Sequence, residues 1–130
     1  MRSQLGVGNQ DLNLVNLTPH TITVIGSGET DMVIAASGQV ARVSSTDEIV
    51  DYLSYDFETP SGIDGNEFPI YVTRLGEVVG LPDPEEGTVY LVSGMVRSAV
   101  HERQDVWSPG PLVRDDKGQP IGCKGFYRNG

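Results

Sequence analysis

The chain has 130 residues, a length typical of one domain and sufficient to bury an apolar core. It carries 18 acidic against 9 basic side chains, a formal charge of -9, and 16 Gly and 8 Pro. That many backbone punctuators excludes a long helical bundle, a coiled coil and a collagen-like repeat, and the acidity disfavours a coat for duplex DNA or an anionic membrane.

The first eleven residues are polar and Gly-rich and read as a flexible N-terminal arm; residues 12–130 read as one β-rich domain. Leu12–Leu17 alternates imperfectly and predicts a strand, interrupted at Thr18-Pro19 because proline lacks a donor. Thr21–Ile25 alternates cleanly, Met32–Ala36 is short and apolar, and Gln39–Val43 follows a Ser37-Gly38 turn. Together these predict an antiparallel meander. Ser45-Thr46-Asp47-Glu48 resembles a helix N-terminus, which predicts a short helix through Tyr52. Asp56–Asn66, with Pro60, Gly62 and Gly65, predicts a polar, mobile loop.

Phe68–Arg74 predicts a strand that Glu77–Val79 continues after a bend, and Thr88–Val92 is the clearest strand of the chain. Met95–Glu102 predicts a two-turn helix, with Met95, Val96, Ala99 and Val100 on one face and Arg97 and His101 on another. Trp107, Pro109 and Pro111 predict a loop, and Leu112–Arg114 with Pro120–Phe126 a closing hairpin. The expected fold is mainly β (α+β), a small antiparallel β domain with one or two short helices.

Charge is unevenly distributed. Residues 1–96 hold 14 acids and 3 bases, a net of -11; residues 97–130 hold 4 acids and 6 bases, a net of +2. The last third is therefore where an anion would be held. Arginine suits that task because its planar fork donates two parallel hydrogen bonds. Arg97, Arg103 and Arg114 cluster in sequence there, and Arg74 ends the preceding strand. Asp105, two residues after Arg103, offers the alternative of an internal ion pair. Asn16 and His20 either present polar groups to a pocket or, with Thr18, tie down a local bend. Tyr71, Tyr90 and Trp107 offer stacking faces, although alternation assigns at least one tyrosine to the core.

No catalytic or metal-binding constellation is legible. One cysteine, Cys123, permits neither an internal disulfide nor a cysteine zinc site and reads as a buried small hydrophobe. The two histidines form no HxH or HExxH pattern, and phosphate-loop, GxSxG and EF-hand spacings are absent. No cofactor is implied, and no apolar run is long enough to span a bilayer as a helix.

Read together, Asn16-Leu17-Thr18-Pro19-His20, Ser37–Val43, Gly80–Ser93 with its Leu-Pro-x-Pro-x-x-Gly-Thr-x-Tyr-x-Val-Ser block, Arg103–Val106, Val113–Gly118 and Ile121-Gly122 resemble a family of small phage and prophage proteins. Within that group the chain resembles the Thoeris anti-defence sponge proteins. The resemblance implies a homo-oligomer in the cytoplasm of an infected bacterium that binds, and does not cleave, a cyclic ADP-ribose-type signal or a cyclic oligonucleotide. It implies arginines on the pyrophosphate, with Arg114 the first candidate and Arg103, Arg97 and Arg74 behind it, and an aromatic or amide group on the adenine. The acidic stretch 47–67 lies outside that pattern. The alternatives are a phage structural or capsid accessory protein, and a nucleotide-cleaving enzyme with His20 or His101 as base.

Overall fold

The computed structural model describes residues 6, 7, 10–28 and 30–130. The N-terminal arm expected over 1–11 lies in large part outside them; within it β1 (Gly6–Val7) pairs antiparallel with β2 (Gln10–Asp11). The described chain divides into two compact units, one formed by the residues up to Val43 with Val78–Gly130, the other by Ser44–Glu77.

The first unit is a β structure with two four-stranded sheets. One has the order β12–β9–β8–β3, built from β3 (Asn13–Asn16), β8 (Thr88–Leu91), β9 (Val106–Pro109) and β12 (Phe126–Arg128). The other has the order β10–β11–β4–β5, built from β4 (Ile22–Val24), β5 (Met32–Ile34), β10 (Leu112–Arg114) and β11 (Pro120–Cys123). β4–β5 and β10–β11 are the expected antiparallel pairs. The meander is otherwise corrected. β3 runs parallel to β8, β8 parallel to β9, and β11 parallel to β4. Residues 37–41 form no strand beside β5. Instead the Ser37 and Ala41 amides donate to the carbonyls of Asn16 and Leu17.

β8 explains the core. All four of its residues are buried, as befits a central parallel strand covered on both faces. Val89 and Leu91 pack with Ile22, Val24 and Cys123 in a cluster drawn from both sheets. Tyr90 and Val92 pack on the other face with Leu17, Ala41, Val106 and Val96 of the helix. Cys123 is buried, as its sequence context indicated.

One helix forms, α1 (Gly94–Ala99), shorter than the expected Met95–Glu102. Ser93 caps it, its hydroxyl accepting from the Val96 amide at 3.2 Å. Val96 is the residue it buries; Met95, expected on the apolar face, is exposed. The loop expected around Trp107 is corrected to strand β9. Val106 and Ser108 are buried while Trp107 and Pro109 are half-buried, a period-two pattern that ends at the proline.

The second unit is a two-stranded ribbon. It comprises most of β6 (Arg42–Thr59) and β7 (Gly62–Val79), each 18 residues long. The short helix at 45–52 and the mobile loop at 56–66 are both corrected. Ile49, Val50, Tyr52, Tyr55 and Phe57 are β-branched or aromatic, and pairing with β7 overrides the helix-start signal at Ser45. Only Pro60 and Ser61 remain as the turn, where the Thr59 hydroxyl donates to the Gly62 carbonyl at 2.9 Å. Gly65 lies within β7, where a Cβ would come 2.7 Å from the exposed Asp56 carboxylate, a side-chain end that can move aside.

Candidate functional site

The residues expected to bind ligand do not converge. Arg103 is the most constrained. Its Nε and Nη2 grip Asp105 at 3.0 and 2.7 Å, its Nη1 donates to the Pro82 carbonyl at 2.9 Å, and its guanidinium lies 5.9 Å from the centre of the Tyr90 ring. The hydrogen bond from Asp105 raises the guanidinium above its ordinary pKa, against the opposing effect of burial. Raising a base extends its charged range upward, so Arg103 remains ionised throughout the pH range in which proteins fold. The internal ion pair is thus realised. Asp105→Ala is expected to lower stability by about 1–2 kcal/mol, because a half-buried fork loses its carboxylate. Urea unfolding measures this, and Arg103→Lys is expected to cost a similar amount since an ammonium cannot make the bidentate pair.

Arg97 is also committed. Its Nε donates to the Ser108 hydroxyl at 2.8 Å and its Nη1 to Asn129 Oδ1 at 3.2 Å, with the Tyr127 ring 5.7 Å away. Buried Asn129 in turn directs Nδ2 at the carbonyls of Arg97, Val100 and Arg103, each at 3.1 Å, and so closes the C-terminal end of α1. Nothing near position 129 in sequence announces that role, since its partners are 26 to 32 residues away.

Arg74 lies in the ribbon, exposed, with Glu48 at 3.1 Å. Arg114 is exposed on β10 and donates to the Gly118 carbonyl at 2.9 Å within its own hairpin turn. Tyr90 is buried and its hydroxyl donates to the Asp83 carbonyl, which makes it the core tyrosine. Asn16 is 1% exposed. Its Nδ2 donates to the carbonyls of His20 and Ile34 and its Oδ1 accepts from the amide and hydroxyl of Thr18. Asn16 and Thr18 therefore lock the bend before β4.

His20 is exposed and lines an open cleft of about 290 Å³. Ile22, Pro109, Leu112, Pro120 and Cys123 give this cleft an apolar lining, with Thr18 and Ser93 also on its walls. His101 is exposed elsewhere, 3.7 Å from Glu102. His101 does not line the cleft that His20 lines.

A second cleft, of about 280 Å³, has a mixed lining. Trp107 of β9 and Arg128 of β12 are Cα partners across the antiparallel pair, and both line it with Gln104, Thr88, Glu85 and Asp105. The Trp107 indole is braced from below: Nε1 donates to the Gln104 carbonyl at 3.0 Å, and the Phe126 ring lies 5.5 Å away at a tilt of 44°. Arg128 makes no ion pair or side-chain hydrogen bond among the described residues. Of the two acids on the cleft, Asp105 is already neutralised by Arg103. The arrangement offers a ring to stack on, a side-chain amide and an uncommitted cation. Sequence reasoning proposed the Trp107 face but not Arg128 or Gln104. No signal along the chain singles Arg128 out: it has no acid within two residues, but neither have Arg97 and Arg74, which the fold commits internally.

Among the described residues no helix is long and apolar enough to cross a membrane. No protein-family model, curated protein or solved structure is similar enough to this chain to match it.

Proposed function

We propose that this protein is a non-cleaving binder of a small nucleotide, acting as an anti-defence sponge that sequesters a cyclic ADP-ribose-type or cyclic oligonucleotide signal in the cytoplasm of a phage-infected bacterium. The observation that carries the reading is the pairing of Trp107 with Arg128 on one cleft. An indole stacks on any base, at about 1–3 kcal/mol per base. A guanidinium without an internal carboxylate is available to a phosphate, and the Gln104 amide matches the donor and acceptor edges of adenine. The resemblance to phage sponge proteins supports the same ligand class but favours Arg114, whose exposed guanidinium is tied to the Gly118 carbonyl. Sequestration, with no duplex nucleic acid as partner, and self-association of the chain belong to this reading.

The chain contains a single tryptophan, so its fluorescence reports on the cleft directly. Titration with cyclic ADP-ribose isomers and cyclic di- and trinucleotides is expected to quench it saturably, with intact nucleotide recovered after heat denaturation. Arg128→Ala is expected to weaken binding at least tenfold, roughly 1.4 kcal/mol, while leaving the melting temperature in place. Calorimetric titration of Trp107→Ala is expected to show a loss as large. Recovery of cleaved nucleotide would overturn the reading. Binding that survives Arg128→Ala but not Arg114→Ala would move the site to the β10–β11 hairpin.

A further inference from the structure

An isolated two-stranded ribbon is marginal in water, yet Ser44–Glu77 exposes most of its large apolar side chains. Ile49, Leu53, Tyr55 and Phe57 are 45%, 62%, 60% and 37% exposed and fall at odd positions of β6, which places them on one face together with exposed Asp51. The Tyr55 and Phe57 rings stack at 5.8 Å along that face. Asp47 lies on the same face and accepts from the Thr73 hydroxyl at 2.9 Å, which brings Tyr71 and Leu75 of β7 to it as well. The opposite face carries exposed Val50 and Tyr52 of β6 and Phe68 and Ile70 of β7, together with the Arg74–Glu48 pair.

We infer that this ribbon is a self-association arm whose Ile49–Phe57 face packs against the same face of a second copy of the chain. The area supports a second copy. At about 150–250 Å² for a large side chain, Ile49, Leu53, Tyr55, Phe57, Tyr71 and Leu75 on this face present together roughly 600 Å² of apolar surface. A standard interface takes about 800 Å² from each partner, of which about 60% is apolar, and about 600 Å² is the upper end of what a monomer leaves in one patch. Among the described residues both outer strand edges are also unpaired, since the sheet contains β6 and β7 alone. A twofold axis makes one face complementary to itself, so no second sequence is required.

The ribbon holds eight acids (Asp47, Glu48, Asp51, Asp56, Glu58, Asp64, Glu67, Glu77) and one base (Arg74), a net of -7. Two copies brought together therefore repel electrostatically and associate through apolar contact. Salt screens the repulsion and strengthens the apolar term, so association should tighten as salt rises. Docking onto a basic protein would show the reverse dependence.

The inference gives the self-association in the functional reading a surface, but it rests on Ser44–Glu77 alone and the two fail separately. The test is light scattering of the full chain after size exclusion. At tens of micromolar the wild type is expected at a multiple of its 14.0 kDa mass, with the multimer fraction rising between 50 and 500 mM NaCl. Leu53→Glu with Tyr55→Glu alters two well-exposed positions, and is expected to give 14.0 kDa with unchanged circular dichroism and nucleotide titration. Leu53→Ser with Tyr55→Ser is expected to weaken association at least tenfold without adding charge. A monomeric wild type, a multimer that weakens with salt, or a double variant that keeps the wild-type mass would each overturn the inference.

Discussion

Gly110→Ala is expected to destabilise the protein by about 3 kcal/mol or more, the largest effect of any Gly→Ala change among the described glycines compared. A Cβ at this position would collide with the Lys124 carbonyl oxygen and lie 2.8 and 2.9 Å from the carbonyl of Gly125. All three obstacles are backbone atoms, so no side chain can swing aside. The same approach is required by two hydrogen bonds, from the Gly110 amide to the Gly125 carbonyl at 2.9 Å and from the Lys124 amide to the Pro111 carbonyl at 2.8 Å. These lie where the chain leaves β9 for β10, and where it leaves β11 for β12, so relief of the clash disturbs both sheets. At about 4 °C per kcal/mol the melting temperature should fall by roughly 12 °C. Gly94→Ala is the control. It opens α1 with free space around its Cβ and is expected to be neutral or slightly stabilising. Equal melting of the two variants would show that the β9–β10 passage adapts without cost.

Asn16→Ala is the second large effect, expected at about 3 kcal/mol. The side chain makes four hydrogen bonds at 2.7 to 3.0 Å in a site that is 1% exposed. Truncation strips the amide donor from the Ile34 carbonyl and the acceptor from the Thr18 amide and hydroxyl, while the His20 carbonyl keeps the Thr18 hydroxyl at 3.0 Å; each partly buried group left unpaired costs about 1–3 kcal/mol. Asn16→Asp discriminates between lost bonds and lost volume. It retains the acceptor for Thr18 but turns a negative charge on two carbonyl oxygens. Its loss at neutral pH should equal or exceed that of alanine and should shrink as the pH falls and the new carboxyl takes a proton. Denaturant midpoints at pH 7 and pH 4 measure this. A pH-independent loss would mean that packing, and not the amide's hydrogen bonds, holds the bend.

These two positions also show what was legible. The Asn-Leu-Thr-Pro-His bend was readable, because Thr18, Asn16 and His20 bond within four residues of one another. So were the Arg103–Asp105 pair at a separation of two, the strand at β8 and the β4–β5 and β10–β11 pairs. The misread segments are those whose conformation is decided at a distance. Ser45–Glu48 carries a sound local helix-start signal, but Asp47 and Glu48 meet Thr73 and Arg74, 26 residues away. The Trp107–Arg128 register and the three amide contacts of Asn129 are likewise invisible along the chain.

By itself, the sequence determined a small, mainly β chain with an acidic first part, a clear strand at Thr88–Val92 and a local bend before Ile22. Alternation, punctuators and short-range hydrogen bonds act within a few residues, and their free energies need no knowledge of the rest of the chain. Only the tertiary structure decided that the parallel pairs replace a meander, that Ser44–Glu77 is a ribbon, and which cations remain uncommitted. The net of +2 in the last third located the arginines without saying that Arg97 and Arg103 are consumed internally while Arg128 has no side-chain partner among the described residues. A guanidinium's availability depends on which carboxylates and carbonyls the fold brings within about 3 Å, a distance that charge counting does not measure.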